Sequence, residues 1–289
     1  IKLDLPLKMD IYGTYKNLLI ISIAQEWLGF PVGSLLAVEI EDALKGDIVS
    51  NSIKMLFMPS ETSFLRNVSI GSDQILVNVL DNIKGKIIHF EKIGKTWFES
   101  NIKGFDEDML SVAGSDNWSN RSFLESESFT QPTGLYFSEN SKEYKKIKSL
   151  PQKFDPTKYE VEQFFSESKD GTKIPYFQIS RKDMIANSKN PTLLYGYGGF
   201  EISLTPSYLS AFTTKWIDDG GVYVIANIRG GGEYGPKWHQ SALKANRQRA
   251  YDDFISVAEE LIEREVTSPR NLGIRGGSNG GLLVGAVFT

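Results

Sequence analysis

Cysteine is absent from the 289 residues, and with it go disulfides, thiolate nucleophiles and cysteine-ligated metals. That fits a reducing compartment, and the cytoplasm is the expected location. Histidine is scarce: His89 and His239 are the two in the chain, so any histidine base has only those candidates here. No apolar run approaches the roughly 20 residues of a membrane-spanning helix. The start, "IKLDLPLKMD", has neither an initiator Met nor a signal-peptide pattern, so residue 1 is read as lying inside a longer gene product. A net charge of -4 gives no pull toward nucleic acid or anionic lipid, and neither is expected as a partner.

What is present belongs to a soluble globular chain. Its length exceeds the usual domain of roughly 100 to 200 residues, which favours two domains. The character changes near residue 155, and the expected division is 1–155 and 156–289. Before it, short β-branched and aromatic runs recur between Gly, Asn and Asp turns: "NLLIISI", "GSLLAVEI", "SIKMLFM", "QILVNVL", "GKIIHFEK", "DMLSVAG", "GLYFSE". This is an all-β region. A loose repeat, in which Gly13 precedes Leu18, Gly71 precedes Ile75 and Gly104 precedes Met109, suggests blades of a β-propeller, of which this stretch would hold about three. An irregular β-sandwich is the alternative from periodicity alone. The polar run "SDNWSNRSFLESESFTQ" reads as a loop or hairpin tip.

After "KFDPTKYEVEQ", read as a crossing between domains, "IPYFQIS" and "PTLLYGYGGF" supply two strands. "GVYVIANIRGGG" supplies a third, whose unbroken apolar run suits a strand buried on both faces, and "LGIRGG" a fourth. Between the last two, "AYDDFISVAEELIERE" places Phe254, Val257, Ala258, Leu261 and Ile262 on one helical stripe, with Asp252 and Asp253 suited to the positive end of the helix dipole. Alternating strand and helix predicts a mainly parallel sheet with crossover helices.

Ser278 falls at the end of the fourth strand. Gly276, Ser278 and Gly280 form G-x-S-x-G between a predicted strand and a predicted helix, the context of a nucleophile elbow. The bare pattern is weak; the strand-to-helix context carries the reading. Such a turn holds the serine in a strained conformation and needs glycine where backbone approaches closely. The helix that follows aims its N-terminus at the site, so the amide of Asn279 is a candidate oxyanion donor. A glycine-rich turn serving packing or phosphate binding is the alternative, but "NGGLL" lacks the Lys of a phosphate loop. The second glycine cluster, "YGYGGF", follows the strand at Leu193 and Leu194, where α/β-hydrolases place the other oxyanion donor. Tyr197 or a neighbouring amide could fill that role, with Phe200 beside an apolar specificity pocket; aromatic packing in a tight turn is the alternative. In "NIRGGGEYG", Arg229 and Glu233 receive no catalytic role, and a structural ion pair is the reading.

The stretches "SKDGTKIPYFQIS", "PTLLYGYGGFEISLTPSY", "GGVYVIANIRGGGEYGPKWH" and "VTSPRNLGIRGGSNGGLLVGA" together closely resemble the catalytic domain of the prolyl oligopeptidase family of serine peptidases. The β-rich part, including "AQEWLGFPVGSLLAVEI", looks like late blades of that family's propeller. The resemblance implies an α/β-hydrolase preceded by propeller blades. It further implies Ser278 as nucleophile, the Tyr197 hydroxyl and Asn279 amide as oxyanion donors, and Phe200 in the pocket for a proline side chain. It implies cleavage of short peptides on the carboxyl side of proline by a monomer that uses no metal or organic cofactor.

The chain also departs from the pattern. In α/β-hydrolases the acid and the base follow the nucleophile, whereas His89 and His239 both precede Ser278 and are read as structural. The expectation is therefore a piece of a longer peptidase, inactive and poorly soluble alone, with Asp and His supplied beyond it. An esterase or acylaminoacyl-type hydrolase on the same scaffold, and a non-catalytic peptide-binding piece, are the competing functions.

Overall fold

The computed structural model describes residues 5–105 and 108–288, which divide into two units. One comprises Ile1–Ser128 and Thr133–Leu150; the other comprises Phe129–Pro132 and Pro151–Thr289.

The first unit is built from antiparallel meanders. β1 (Met9–Tyr15), β2 (Leu18–Ile23), β3 (Leu35–Glu39) and β4 (Lys54–Phe57) make one four-stranded sheet, with the short α1 (Ile40–Lys45) between its last two strands. β5 (Ser63–Ile70), β6 (Gln74–Asp81), β7 (Lys84–Ile93) and β8 (Thr96–Asn101) make the next, and β9 (Met109–Ser115), β10 (Ser122–Glu127), β11 (Gly134–Ser138) and β12 (Lys145–Ser149) the third. In each sheet the strands lie side by side in chain order, the pattern of propeller blades.

Side-chain alternation explains the stacking. On β6, Ile75 and Val77 pack with Tyr15, Ile20 and Leu35 of the first sheet. Leu76, on the opposite face, packs with Leu110 and Leu124 of the third. The middle sheet is thus buried on both faces, which a two-layer sandwich does not allow. The glycines proposed as the repeat are not equivalent. Gly13 sits at a register shift within β1, Gly71 in the β5–β6 turn and Gly104 ahead of β9; the true repeat is the meander itself, beginning at Met9, Ser63 and Met109. The polar run read as a loop also contains β10. Its inward face carries Ser122, Leu124 and Ser126, all buried, so the serines hid the alternation. They are held by side-chain bonds: Ser122 Oγ lies 2.7 Å from Tyr144 Oη, and Ser126 Oγ donates to Asp108.

The second unit is a sheet with helices. β13 (Tyr159–Glu167), β14 (Lys173–Arg181), β15 (Thr192–Gly196), β16 (Val222–Ala226) and β17 (Leu272–Arg275) lie in the order β13-β14-β16-β15-β17. β16–β15 and β15–β17 are parallel, whereas β13–β14 and β14–β16 are antiparallel, so the sheet is mixed. The segment read as a crossing between domains supplies β13. Its polar side chains Glu160, Glu162 and Glu167 mark an edge strand exposed along much of its length.

α2 (Ala211–Asp218) starts where Ser210 Oγ accepts the Thr213 N–H. α3 (Pro236–Gln240) opens on proline, which has no N–H to leave unpaired. α4 (Gln248–Glu263) buries Phe254, Val257 and Leu261 against Leu194, Val224 and Ala226 of the sheet. Because α4 begins at Gln248, Asp252 and Asp253 lie in its second turn rather than at the dipole's positive end. Asp253 is instead a buried partner of Arg229.

Candidate active site

β17 runs into Gly276 and Gly277, and α5 (Asn279–Phe288) begins immediately after Ser278. Ser278 has φ +52°, a left-handed conformation that costs a residue with a Cβ about 1–2 kcal/mol. The neighbouring glycines explain how the turn is enforced. A Cβ on Gly276 would lie 2.1 Å from the Gly280 carbonyl oxygen, and one on Gly280 would lie 2.5 Å from the Gly196 carbonyl oxygen at the end of β15. Backbone therefore presses on backbone at both positions, and only glycine fits. The Gly280 and Gly281 N–H groups donate to the Gly277 and Ser278 carbonyls at 2.8 and 2.9 Å, which closes the first turn of α5. Ser278 is left exposed at the C-terminal ends of the parallel strands, where open α/β sheets place ligands.

The loop after β15 is tied to that turn. The Asn279 side-chain amide donates to the Tyr197 carbonyl at 2.6 Å, and Gly199 packs so closely on this amide that a Cβ there would lie 2.3 Å from Asn279 Nδ2. Three expected site residues, Ser278, Asn279 and Tyr197, are thus brought onto adjoining segments. The Asn279 backbone amide stands at the start of α5, where a helix offers its unpaired N–H groups. Tyr197 is half-buried. Phe200 is 74% exposed, and it and Glu201 both take left-handed φ values, +54° and +57°.

A second ring of contacts, missed in the sequence, holds this strained loop. Arg247 donates to the Gly198 carbonyl. The Glu201 N–H points to the Gly230 carbonyl at 3.3 Å, and the Gly232 N–H donates to the Ile202 carbonyl at 3.2 Å. Leu204 is gripped at both ends of its backbone: its N–H donates to Glu233 Oε1 at 3.0 Å, and its carbonyl accepts from Asn227 Nδ2 at 2.7 Å. Glu233 is 1% exposed, and burial pushes its carboxyl up to about 7. An acid placed among close-packed glycines in "GGGEYG" was the available signal that this carboxyl is internal.

The Arg229 side chain is bound elsewhere. Its guanidinium donates to Asp253 and Asp170, each at 2.6 Å, with Arg229 4% and Asp253 0% exposed. Burial works against the Arg229 charge, but the bonds to Asp253 and then Asp170 outweigh it and raise its pKa, while the Arg229 bond lowers that of Asp170. The structural ion pair expected for Arg229 is present, whereas Glu233 is no part of it. His239 Nδ1 lies 2.6 Å from the Gly230 carbonyl oxygen and 3.1 Å from the Glu201 N, and His89 lies buried in the first unit, 3.1 Å from Gln74 Oε1, with its pKa lowered by burial and then by Lys142. A shallow hollow of about 280 Å³ lined by Arg181, Met184, Asn190 and Gly221 lies at the N-terminal ends of β15 and β16, away from Ser278. Among the described residues no cluster of His, Asp and Glu could hold a metal ion.

Blade-like meanders, and a mixed sheet whose parallel strand delivers an exposed serine on a left-handed turn into a helix, define the architecture of a serine hydrolase of the α/β type. Residues 207–289 match the prolyl oligopeptidase family. The chain is 39% identical over 98% of its length to an uncharacterized peptidase of Sinorhizobium fredii, of which it spans 40%. It is 36% identical over 80% of its length to a prolyl endopeptidase of Elizabethkingia miricola, spanning 32% of it. Its structure superimposes with a TM-score of 0.84 on a post-proline cleaving enzyme from Rickettsia typhi, at 34% identity, over 98% of this chain and 42% of that one. The chain belongs to the prolyl oligopeptidase family of serine peptidases and spans about 40% of the length of curated relatives such as that of Sinorhizobium fredii.

Proposed function

We propose that the natural protein carrying this chain is an endopeptidase that cleaves short peptides on the carboxyl side of proline through an acyl-enzyme on Ser278. The observation that carries this is the exposed, left-handed Ser278 between β17 and α5, locked by Gly276 and Gly280. In this reading Ser278 Oγ attacks the carbonyl carbon of a prolyl residue. The Asn279 N–H and the Tyr197 hydroxyl then donate to the oxyanion, as fixed donors do in acyl transfer. The proton leaves Oγ for a general base and is returned to the departing amine. Base and orienting acid come, in this reading, from the part of the family's length that the chain does not span. The names of the Elizabethkingia and Rickettsia relatives support proline as the recognised residue, and the exposed Phe200 ring offers a flat apolar wall that a rigid proline ring meets at small entropic cost.

The test uses the complete natural gene product. A phosphonate reagent directed at serine hydrolases is expected to label Ser278, and Ser278→Ala to abolish labelling. Turnover of an acyl-proline amide is expected to exceed that of a matched alanine amide and of a simple ester. Labelling that persists in Ser278→Ala, or a preference for the ester, overturns the reading.

A further inference from the structure

Among the described residues the carboxyl of Glu233 is the acid driven into the interior beside the Phe200 loop, and nothing in the acyl-transfer scheme uses it. Its Oε1 accepts from Leu204 N–H at 3.0 Å and from Asn227 Nδ2 at 3.3 Å. Its Oε2 has no hydrogen-bond partner among the described residues, and neither has Asn227 Oδ1. Oε2 occupies the space beside Gly231, where a Cβ would stand 2.2 Å away, so that only glycine at 231 admits the carboxyl. Glu233 and Asn227 are 1% and 0% exposed.

Through the Leu204 peptide this pair holds the segment that follows two consecutive left-handed residues, Phe200 and Glu201. A strained segment stays in place only while its surroundings over-determine it. We propose that Glu233 is the positioning residue of the Phe200 loop: its buried carboxyl, with Asn227, clamps the Leu204 peptide and so fixes the Phe200 ring, and ionisation of that carboxyl loosens the clamp. The part of this concerning substrate rests on the reading of Phe200 as a wall of the proline pocket.

The charged groups on the packed elements leave the carboxyl uncompensated. Arg229 is bound to Asp253 and Asp170, Arg247 Nη1 donates to the Gly198 carbonyl while its Nη2 is buried without a partner among the described residues, and His239 Nδ1 stands between the Gly230 carbonyl and the Glu201 N–H. Glu201 and Lys237 are exposed. The Leu204 N–H, the Glu233 N–H and the Asn227 amide offset only part of the effect of burial, which holds the carboxyl near 7 against an ordinary 4.5. Opening the loop returns the carboxyl to water and to its ordinary range. Between about 4.5 and 7 the closed loop therefore binds more protons than the open one, and raising the pH across that window favours opening.

Hydrogen exchange of the backbone amides from Glu201 to Leu204, corrected for intrinsic rates, reads this without any hydrolysis. In the complete natural protein, protection is expected to fall at least tenfold between pH 5 and pH 8. Glu233→Gln, which keeps an acceptor and cannot ionise, is expected to remove that slope. In turnover of a proline amide, KM is expected to rise with the same pH dependence in wild type more than kcat changes, and to lose that rise in Glu233→Gln. Wild-type protection that is flat with pH, or a slope that survives in Glu233→Gln, overturns the proposal; the wild-type measurement decides alone if the variant does not fold. Loss of proline-directed turnover with the exchange slope intact refutes the reading of the pocket and leaves the clamp standing.

Discussion

Tyr197 and Gly276 each carry a separate expectation. Tyr197→Phe in the complete protein is expected to lower kcat by roughly 10² to 10³, as loss of an oxyanion donor does, with an unchanged denaturation midpoint; unchanged kcat returns the side chain to packing. Gly276→Ala pushes a methyl to 2.1 Å from the Gly280 carbonyl. The expected outcome is a destabilisation of roughly 1–3 kcal/mol, measured by urea unfolding, together with loss of Ser278 labelling. The elbow was legible in the sequence because glycine at two fixed offsets encodes backbone contact directly. The Asn279 side chain was not, since its partner is the Tyr197 carbonyl, 82 positions earlier, and a main-chain acceptor leaves no mark in residue type.

Strands and helices were legible where one face is apolar and the other polar, or where a run is apolar throughout. β16, buried at every position, and α4, with its Phe254, Val257 and Leu261 stripe, are of that kind. β10 and β13 escaped because serines face inward on the one and glutamates line the open side of the other. Asp253 on α4 was misread for a related reason: an acid near a helix start looks like a dipole partner until Arg229 is seen beneath it. Asp253→Ala would leave the Arg229 charge buried and short of its better-shielded partner. The expected destabilisation is about 3–5 kcal/mol, readable in denaturant, with Asp253→Asn losing less because its amide oxygen still accepts. For Asp170, whose pKa is lowered chiefly by the Arg229 bond, the folded state binds fewer protons than the unfolded one below the usual carboxylate range. Its contribution is therefore present above that range and is lost below it, as pH falls through the depressed folded-state pKa, and Asp170→Asn is expected to flatten the acid limb of the stability curve.

At the scale of the whole molecule, the order of an all-β region before a strand-and-helix region was readable from element alternation alone. The meander repeat was not readable from glycine spacing, because turns in a meander differ in length while the buried faces carry the regularity. The contact between the second and third sheets is one place to test that regularity: a Cβ on Gly85 would lie 2.4 Å from the Leu110 carbonyl oxygen, which also accepts from Asn78 Nδ2 at 3.0 Å. Gly85→Ala is expected to lower the thermal midpoint by several degrees, and an unchanged midpoint would show that the sheets can slide apart at no cost. The left-handed Ser278 has a consequence of another sort, in time rather than space. Besides the local Gly276–Gly280 contact, the turn rests on Gly196 and Tyr197, which are distant in sequence, and contacts of such separation form late because loop closure must precede them. In a chain part-way through refolding the serine is therefore expected in a slack, ordinary backbone, and, if Ser278 is the proposed nucleophile, without enhanced reactivity. Reactivity at Ser278 should appear only after tryptophan fluorescence has reached its final value, so that nascent or damaged molecules carry the motif without being armed.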